Sequence, residues 1–471
     1  MTAHLNSFRA VAMSVRLSFG GFTCLLVFGF FTSVLKAEGF VNEPPDGFRS
    51  LVEGDSLTGW HGQPMLSPEA RQKITEEQRG EWAASIAEHW RLESVESGPK
   101  EIVNDGKGVY LTTDEDFGDF ELFIQYKTVP LADSGIYLRG NPQVQIWDKD
   151  NESQWKHGSN LGSGGLWNNA AGTTGKDPLV IADKTLGEWN QFRILMVGEQ
   201  VSVWLNDQMV VDHARMKNYY DKTAPLMKSG PLQLQTHGGE IRWRSIFIRS
   251  IESEEANQIL MAKNIGVHVE GNAVEQSSGF RPLFNGKDMA GWSGANDNYE
   301  VVDGSVQCKK GKGGVLYSDE IFEDFSLQVE FQLPPAGNNG IAIRYPGNVA
   351  SGGDGAYVGM CELQVLDTED PKYAKLDPRQ SHGSVYGMVA AKRGFLRPVG
   401  EWNYQTVQVV GSKIEVELNG TRILDADLST VSEYMNDKPH PGKDRTSGHI
   451  GLAGHSDPVR FRRIEVMPLS K

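Results

Sequence analysis

The chain has 471 residues, 39% hydrophobic and 23% charged, enough for two or three domains with sizeable cores; this excludes a disordered chain and a polytopic membrane protein. A net charge of −15 makes nucleic acid and anionic lipid poor partners. With 53 Gly, 11 Trp and 9% aromatics, the composition favours short strands joined by turns over long helices.

Residues 1–37 read as an export signal. Arg9 and Arg16 precede the uncharged, mostly apolar Leu17 to Leu35, and small Ala37 offers a cleavage position. The expected location is the periplasm, cell envelope or extracellular space, with no stable membrane span after cleavage. An uncleaved anchor is the alternative, since this run nearly spans a hydrocarbon core of ~30 Å. A first domain is read over 47–249. Within it, Ser67 to Trp90 lacks alternation and is rich in Ala, Glu, Gln and Arg, so it predicts one inserted helix, opened by Ser67-Pro68 and breakable at Gly80. Residues 250–278 read as a linker that begins with a helical stretch, Glu254 to Lys263. A second domain is read over 279–468. Cys308 and Cys361 are either bridged or buried thiols.

The two domains repeat one another. GFRSLVEGDSLTGW from Gly47 recurs as GFRPLFNGKDMAGW from Gly279, with seven identities in fourteen positions. DFELFIQYK matches DFSLQVEFQ, SGIYLR matches NGIAIR, and QVQIWD matches ELQVLD, in the same order. GEWNQFRILMVGEQVSVWLNDQMVVD then matches GEWNYQTVQVVGSKIEVELNGTRILD, and LQTHGGEIRWRSI matches LAGHSDPVRFRRI. Period-two alternation dominates these segments. Phe325, Leu327, Val329 and Phe331 share one strand face for a core; Ser326, Gln328, Glu330 and Gln332 share the other, expected to be wet. Asn419-Gly420 marks a hairpin. The pattern predicts an all-β chain of two tandem β-sandwiches, each built from two antiparallel sheets.

The motifs FxxLFNGKDxxGW, NGIxIR, ELQVLD, GxxYG, GEWN and the closing H-x(4)-RFRxI resemble the 3-keto-disaccharide hydrolase family, over nearly the whole mature chain and twice over. The resemblance implies concanavalin A-like jelly-roll sandwiches acting on sugars at a concave sheet. It also implies cleavage of glycosides oxidised at C3. A C3 carbonyl acidifies the C2 proton, so a base can remove it, the anomeric group can leave and water can add. Such a site needs a base, an acid and a donor for the enolate.

In the second domain Glu362 and Gln364 lie two apart on one strand and share a face. Arg344 ends the neighbouring strand, and His382 precedes the strand carrying Tyr386. Glu362 or His382 is the expected base, with Arg344 to orient a carboxylate or sugar oxygen. Gln364, Tyr386, Asp367 and Asn339 of the NGIxIR motif complete the set. An Arg344–Glu362 structural pair is the bland reading of the same residues. In the first domain Gln143 replaces the acid. Arg139, Gln143, Gln145, Trp167 and Asn168 form a polar and aromatic set suited to sugar hydroxyls and ring faces, without an obvious base beyond Asp148, His157 or Asp183.

His237 and His455, repeated with Arg242/Arg460 and Arg244/Arg462, read as structural turn residues. Trp60, Trp292, Trp189 and Trp402 read as core. No cofactor is implied, although the acidic stretch Asp367 to Asp377 leaves calcium open. Two other functions compete with hydrolysis: a lectin-like tandem sandwich that only binds carbohydrate, and an adhesion scaffold. Convergence of Arg344, Glu362 and His382 in a pocket would separate them.

Overall fold

The computed structural model describes residues 43–96, 98–263, 279–347 and 361–469. The export signal read at 1–37 and the polar end of the linker lie outside the described residues. Each domain is a sandwich of two antiparallel sheets, one of eight strands and one of five.

The five-stranded sheets position the sites. In the first domain the strands are β1 (Trp60–Gln63), β2 (Tyr110–Thr113), β3 (Asp133–Leu138), β4 (Asn141–Trp147) and β5 (Gln233–Leu234), in the spatial order β1-β2-β5-β3-β4. In the second they are β6 (Trp292–Gly294), β7 (Gly313–Phe322), β8 (Asn338–Tyr345), β9 (Cys361–Leu366) and β10 (Gly448–His455), in the order β6-β7-β10-β8-β9. The repeat in sequence is thus a repeat in topology, two jelly-roll sandwiches.

Alternation assigns the faces. Ile341, Ile343, Cys361, Leu363, Val365 and Leu452 turn inward against Leu327, Val329 and Phe331 of the eight-stranded sheet. Leu111, Ile136, Leu138, Val144 and Ile146 do the same in the first domain. Each buried aliphatic side chain contributes about 1.5–3 kcal/mol of transfer free energy. Cys308 and Cys361 are buried free thiols, and desolvation pushes the Cys361 thiol up to about 12. The Asn419-Gly420 hairpin forms, both residues taking positive φ.

The polar face of strand Phe325–Gln332 is not wet. Ser326, Gln328 and Glu330 are each 5% exposed or less. Helix α3 (Ser253–Lys263), which follows α1 (Pro68–Arg71) and α2 (Glu76–His89) in the chain, meets it at Glu330, while Gln328 is held by Tyr404 and Glu465 of the flanking strands. Glu330 accepts from Asn257 at 2.6 Å and Arg462 at 2.8 Å, so its charge is compensated under the helix. Ala256 and Leu260 of α3 pack with Val197 of one domain and Tyr404 of the other. The start of the linker is therefore a wedge. Beside it Glu199 accepts from Arg215 and from the Arg422 N–H, and Arg215 also reaches Glu417, tying the two sandwiches together.

The expected single helix is two. Ser67 caps α1 and Thr75 caps α2 in a capping box with Gln78, while Gly80 is accommodated inside α2. Trp60 and Trp292 are core. Trp189 and Trp402 are instead half-buried beneath Arg244 at 4.0 Å and Arg462 at 4.1 Å, because an indole on the outer face gains from a cation.

Candidate functional site

Strand register decides which side chains meet on the outer face of the second five-stranded sheet. Ala342 pairs with both Glu362 and Gly451, and Gly340 pairs with Gln364. Glu362 and Gln364 therefore share the face turned away from the core. Glu362 lies over Gly340, where any side chain would overlap its carboxylate. Ala342 and Ala453 are likewise small, and Tyr317, Tyr345 and His449 border them, with Tyr317 5.2 Å from Tyr345 and 5.0 Å from His449. This lack of bulk lets Glu362 Oε1 approach His455 Nε2 across the sheet, at 3.4 Å.

The two partners differ in access. The Glu362 side chain is 2% exposed and that of His455 is 41% exposed. Glu362, one of the two expected bases, is withdrawn, and the imidazole of His455 is the open group. The hydrogen bond that the imidazole donates to Glu362 raises the His455 pKa against the opposing effect of desolvation. Gln364 Nε2 donates to Asn338 Oδ1 at 2.7 Å, fixing the amide next to the pair. Tyr386 N–H donates to Glu362 O at 2.8 Å, so the tyrosine stands alongside Glu362 on the next segment, its hydroxyl bonded to Gln380.

The first domain builds the same face with its acid moved. Gln143 occupies the Glu362 position and lies over Gly135, as Glu362 lies over Gly340. Gln143 donates to Gln145, which donates to Asp133 Oδ1 at 2.8 Å. Asp133 occupies the Asn338 position, and its Oδ2 is 2.8 Å from His237 Nδ1. Desolvation raises the Asp133 pKa. Here too the carboxylate is withdrawn and the imidazole open, at 16% and 63% exposure. The floor is filled rather than small: Tyr110, Tyr137, Gln233 and Gln235 occupy it, with Tyr110 and Tyr137 5.3 Å apart. Trp167 is exposed beside Gln143, its N–H donating to Gln143 O.

Several expected site residues lie elsewhere. Arg344 does not join Glu362. It takes a positive φ and turns back to donate to the carbonyls of Glu323, Gly411 and Arg445 and to Asp324. Arg139 repeats this with Gly118, Gly198, Met227 and Asp119. Both guanidiniums clamp loops at the sandwich edge, and the Arg344–Glu362 pair does not form.

His382 is a core residue. Its Nδ1 accepts from Leu366 N–H and its Nε2–H donates to Gln405, while the Phe331 ring packs against it, tilted, at 5.0 Å. Burial lowers its pKa to about 4. In the first domain Ser163 serves the matching backbone group, Trp147 N–H, which marks the His382 position as structural. Asn339 shares the inward parity of Ile341 and is fully buried. Asp367 accepts from Ala336 N–H, as Asp148 accepts from Leu131 N–H, each holding a loop. Asn168 donates to Lys217 O, and Asp183 holds Ser163 N–H. The acidic stretch after Asp367 is spent similarly: Asp370 caps Lys372 and Asp377 binds Arg379. Among the described residues no three His, Cys, Asp or Glu side chains form a metal-holding group.

The sequence profile of the 3-keto-alpha-glucoside-1,2-lyase-like domain matches this chain twice, over residues 47–249 and 279–467. The chain belongs to that family. A 3-keto-disaccharide hydrolase of Bacteroides thetaiotaomicron is 27% identical over 230 residues, covering 41% of this chain and 79% of the relative. A presumptive glycosyl hydrolase from Parabacteroides distasonis is 25% identical, covering 40% of this chain and 99% of that one, with a TM-score of 0.36. The carbohydrate-binding module CBM66 from Bacillus subtilis is 11% identical, covering 38% and 95%, with a TM-score of 0.27.

In this 3-keto-alpha-glucoside-1,2-lyase-like pair of domains the residues that sequence reasoning set aside are the two histidines. Their repetition pointed to a turn. The signal that could have found them is the transposed acid: where Glu362 becomes Gln143, Asn338 becomes Asp133, and each carboxylate faces the same histidine position.

Proposed function

We propose that this chain hydrolyses 3-keto-disaccharides or related glycosides, with the reaction on the outer sheet face of the second domain. The observation that carries the proposal is the Glu362–His455 pair, a buried carboxylate holding an open imidazole. Glu362 orients the ring through Nε2, and the other ring nitrogen, Nδ1, meets substrate. The imidazole removes the C2 proton and returns a proton to the departing anomeric oxygen; water then adds. Tyr317 and His449 offer a ring face to a sugar, and Gln364 and Asn338 offer amides to its hydroxyls. The amides and indole of the first domain suit sugar as well. Arg344, Glu362 and His382 do not converge, so the enzyme reading rests on the acid–imidazole pair instead; a lectin-like role would need these faces without that pair. The N-terminal charge and apolar run fit export, and a mature start near Glu38 in envelope protein would support that placement.

The experiment is turnover of a panel of 3-keto-disaccharides by Glu362→Gln, which keeps shape and removes the charge. The expected result is a loss of about 100-fold or more in kcat with little change in KM. Undiminished turnover would overturn the assignment.

A further inference from the structure

We propose that the first domain carries a second proton-transfer site for 3-keto glycosides, built on Asp133 and His237. The substrate class rests on the function proposed above; the site rests on this chain's own geometry. A domain that had merely lost its reaction would keep amides at both positions. Instead, the acid lost at Gln143 reappears at Asp133, one strand over, still withdrawn and still against the histidine, at 2.8 Å. The imidazole is turned to suit. Nδ1 faces Asp133, leaving Nε2 outward, whereas in the second domain Nε2 faces Glu362.

An independent observation points to a polar occupant of this face. Gln143 Oε1, Gln233 Oε1, Gln235 Oε1 and Gln63 Nε2 have no hydrogen-bond partner, and each residue is more than nine-tenths buried. Register puts all four on the outer face. Buried polar atoms without partners are costly to leave unpaired. Three acceptors suit sugar hydroxyls, and one N–H suits an oxyanion. Trp167, 6.3 Å from Tyr219, supplies an exposed ring beside them.

The chemistry balances without an oxidant or reductant. His237 Nε2 takes the C2 proton, and the C–H electron pair becomes the C2–C3 double bond of an enolate. The C3 carbonyl re-forms as the C1–O bond breaks. Its pair leaves with the aglycone oxygen, which takes the proton from the imidazolium. Water adds across the resulting C1–C2 double bond, placing hydroxyl on C1 and hydrogen on C2.

The test follows deuterium uptake at C2 of methyl 3-keto-α-glucoside in heavy water by NMR, together with methanol release, using the full chain. With the second site silenced by Glu362→Gln and His455→Asn, exchange at C2 should persist at about a tenth or more of the wild-type rate. Adding Asp133→Asn should cut it by about tenfold or more. Adding Gln143→Glu to that variant should restore part of it, because the acid then stands where the second domain has it; a purely structural Asp133 would not be rescued this way. Melting curves check that each variant folds. If the wild type exchanges and the silenced variant does not, or if Asp133→Asn leaves the residual rate unchanged, the first-domain site is overturned and the second stands. If the wild type neither exchanges nor releases methanol, the substrate class itself fails.

Discussion

Glu362 is screened from water while His455 is open to it, so in the proposed reaction the carboxylate orients the ring and the imidazole moves the proton. Because the hydrogen bond to Glu362 is the main cause of the raised His455 pKa, Glu362→Gln should move the imidazole titration downward, and NMR titration of His455 checks this. His382 behaves oppositely. Its folded pKa of about 4 lies below the unfolded value near 6.5, so the unfolded chain binds the extra proton first. Stability should be full above about pH 6.5 and fall toward pH 4, by at most about 3 kcal/mol from this group. Replacing His382 by Asn should flatten that part of the curve in denaturant titrations, with turnover at neutral pH retained. The contrast shows what a sequence carries. Glu362 and Gln364 were legible from strand parity alone. His382 and Arg344 were not, since whether a polar residue near a strand end turns inward depends on distant partners such as Gln405 and Asp324.

At the scale of single elements, strand β8 holds the site open by having no side chain at Gly340. Gly340→Ala would drive a methyl into the Glu362 carboxylate. The expected outcome is a loss of turnover of about tenfold or more, with the His455 titration moving down as in Glu362→Gln. A variant with unchanged turnover would show that Glu362 need not sit where it does. The strands and their inward faces were readable because alternation of apolar and polar residues marks them, whereas their order in each sheet came only with the structure. The face of Phe325–Gln332 was misread as wet because its partners, Asn257 of α3, Tyr404 and Glu465, lie far away in sequence, and no pattern within the strand announces them. The helix break before Thr75 was missed for a smaller reason: two capping signals stand eight residues apart, and the break falls between them rather than at Gly80.

At the scale of the whole molecule, the wedge of α3 and the Glu199–Arg215–Glu417 cluster join the sandwiches, so they should melt together in one calorimetric transition. Leu260→Ala removes a buried side chain from that wedge. It should cost about 2–5 kcal/mol and split the transition into two. A single unsplit transition at lower temperature would place the coupling in the ionic cluster instead. The repeat made two like domains legible, but a repeat is silent about contacts between its copies, which arise from residues such as Glu199 and Glu417 that differ in role from one half to the other.

The edge clamps have a kinetic consequence. Arg344 bonds to groups 20, 21, 67 and 101 positions away along the chain, so its bonds close only after the segments bearing those carbonyls have come together. If those bonds close only after the rate-limiting barrier, they act on unfolding and not on folding. Arg344→Lys should therefore leave the refolding rate nearly unchanged and speed unfolding, which stopped-flow measurement of both limbs would resolve. Each sandwich would then owe to its arginine the lifetime of the folded state rather than the speed of reaching it.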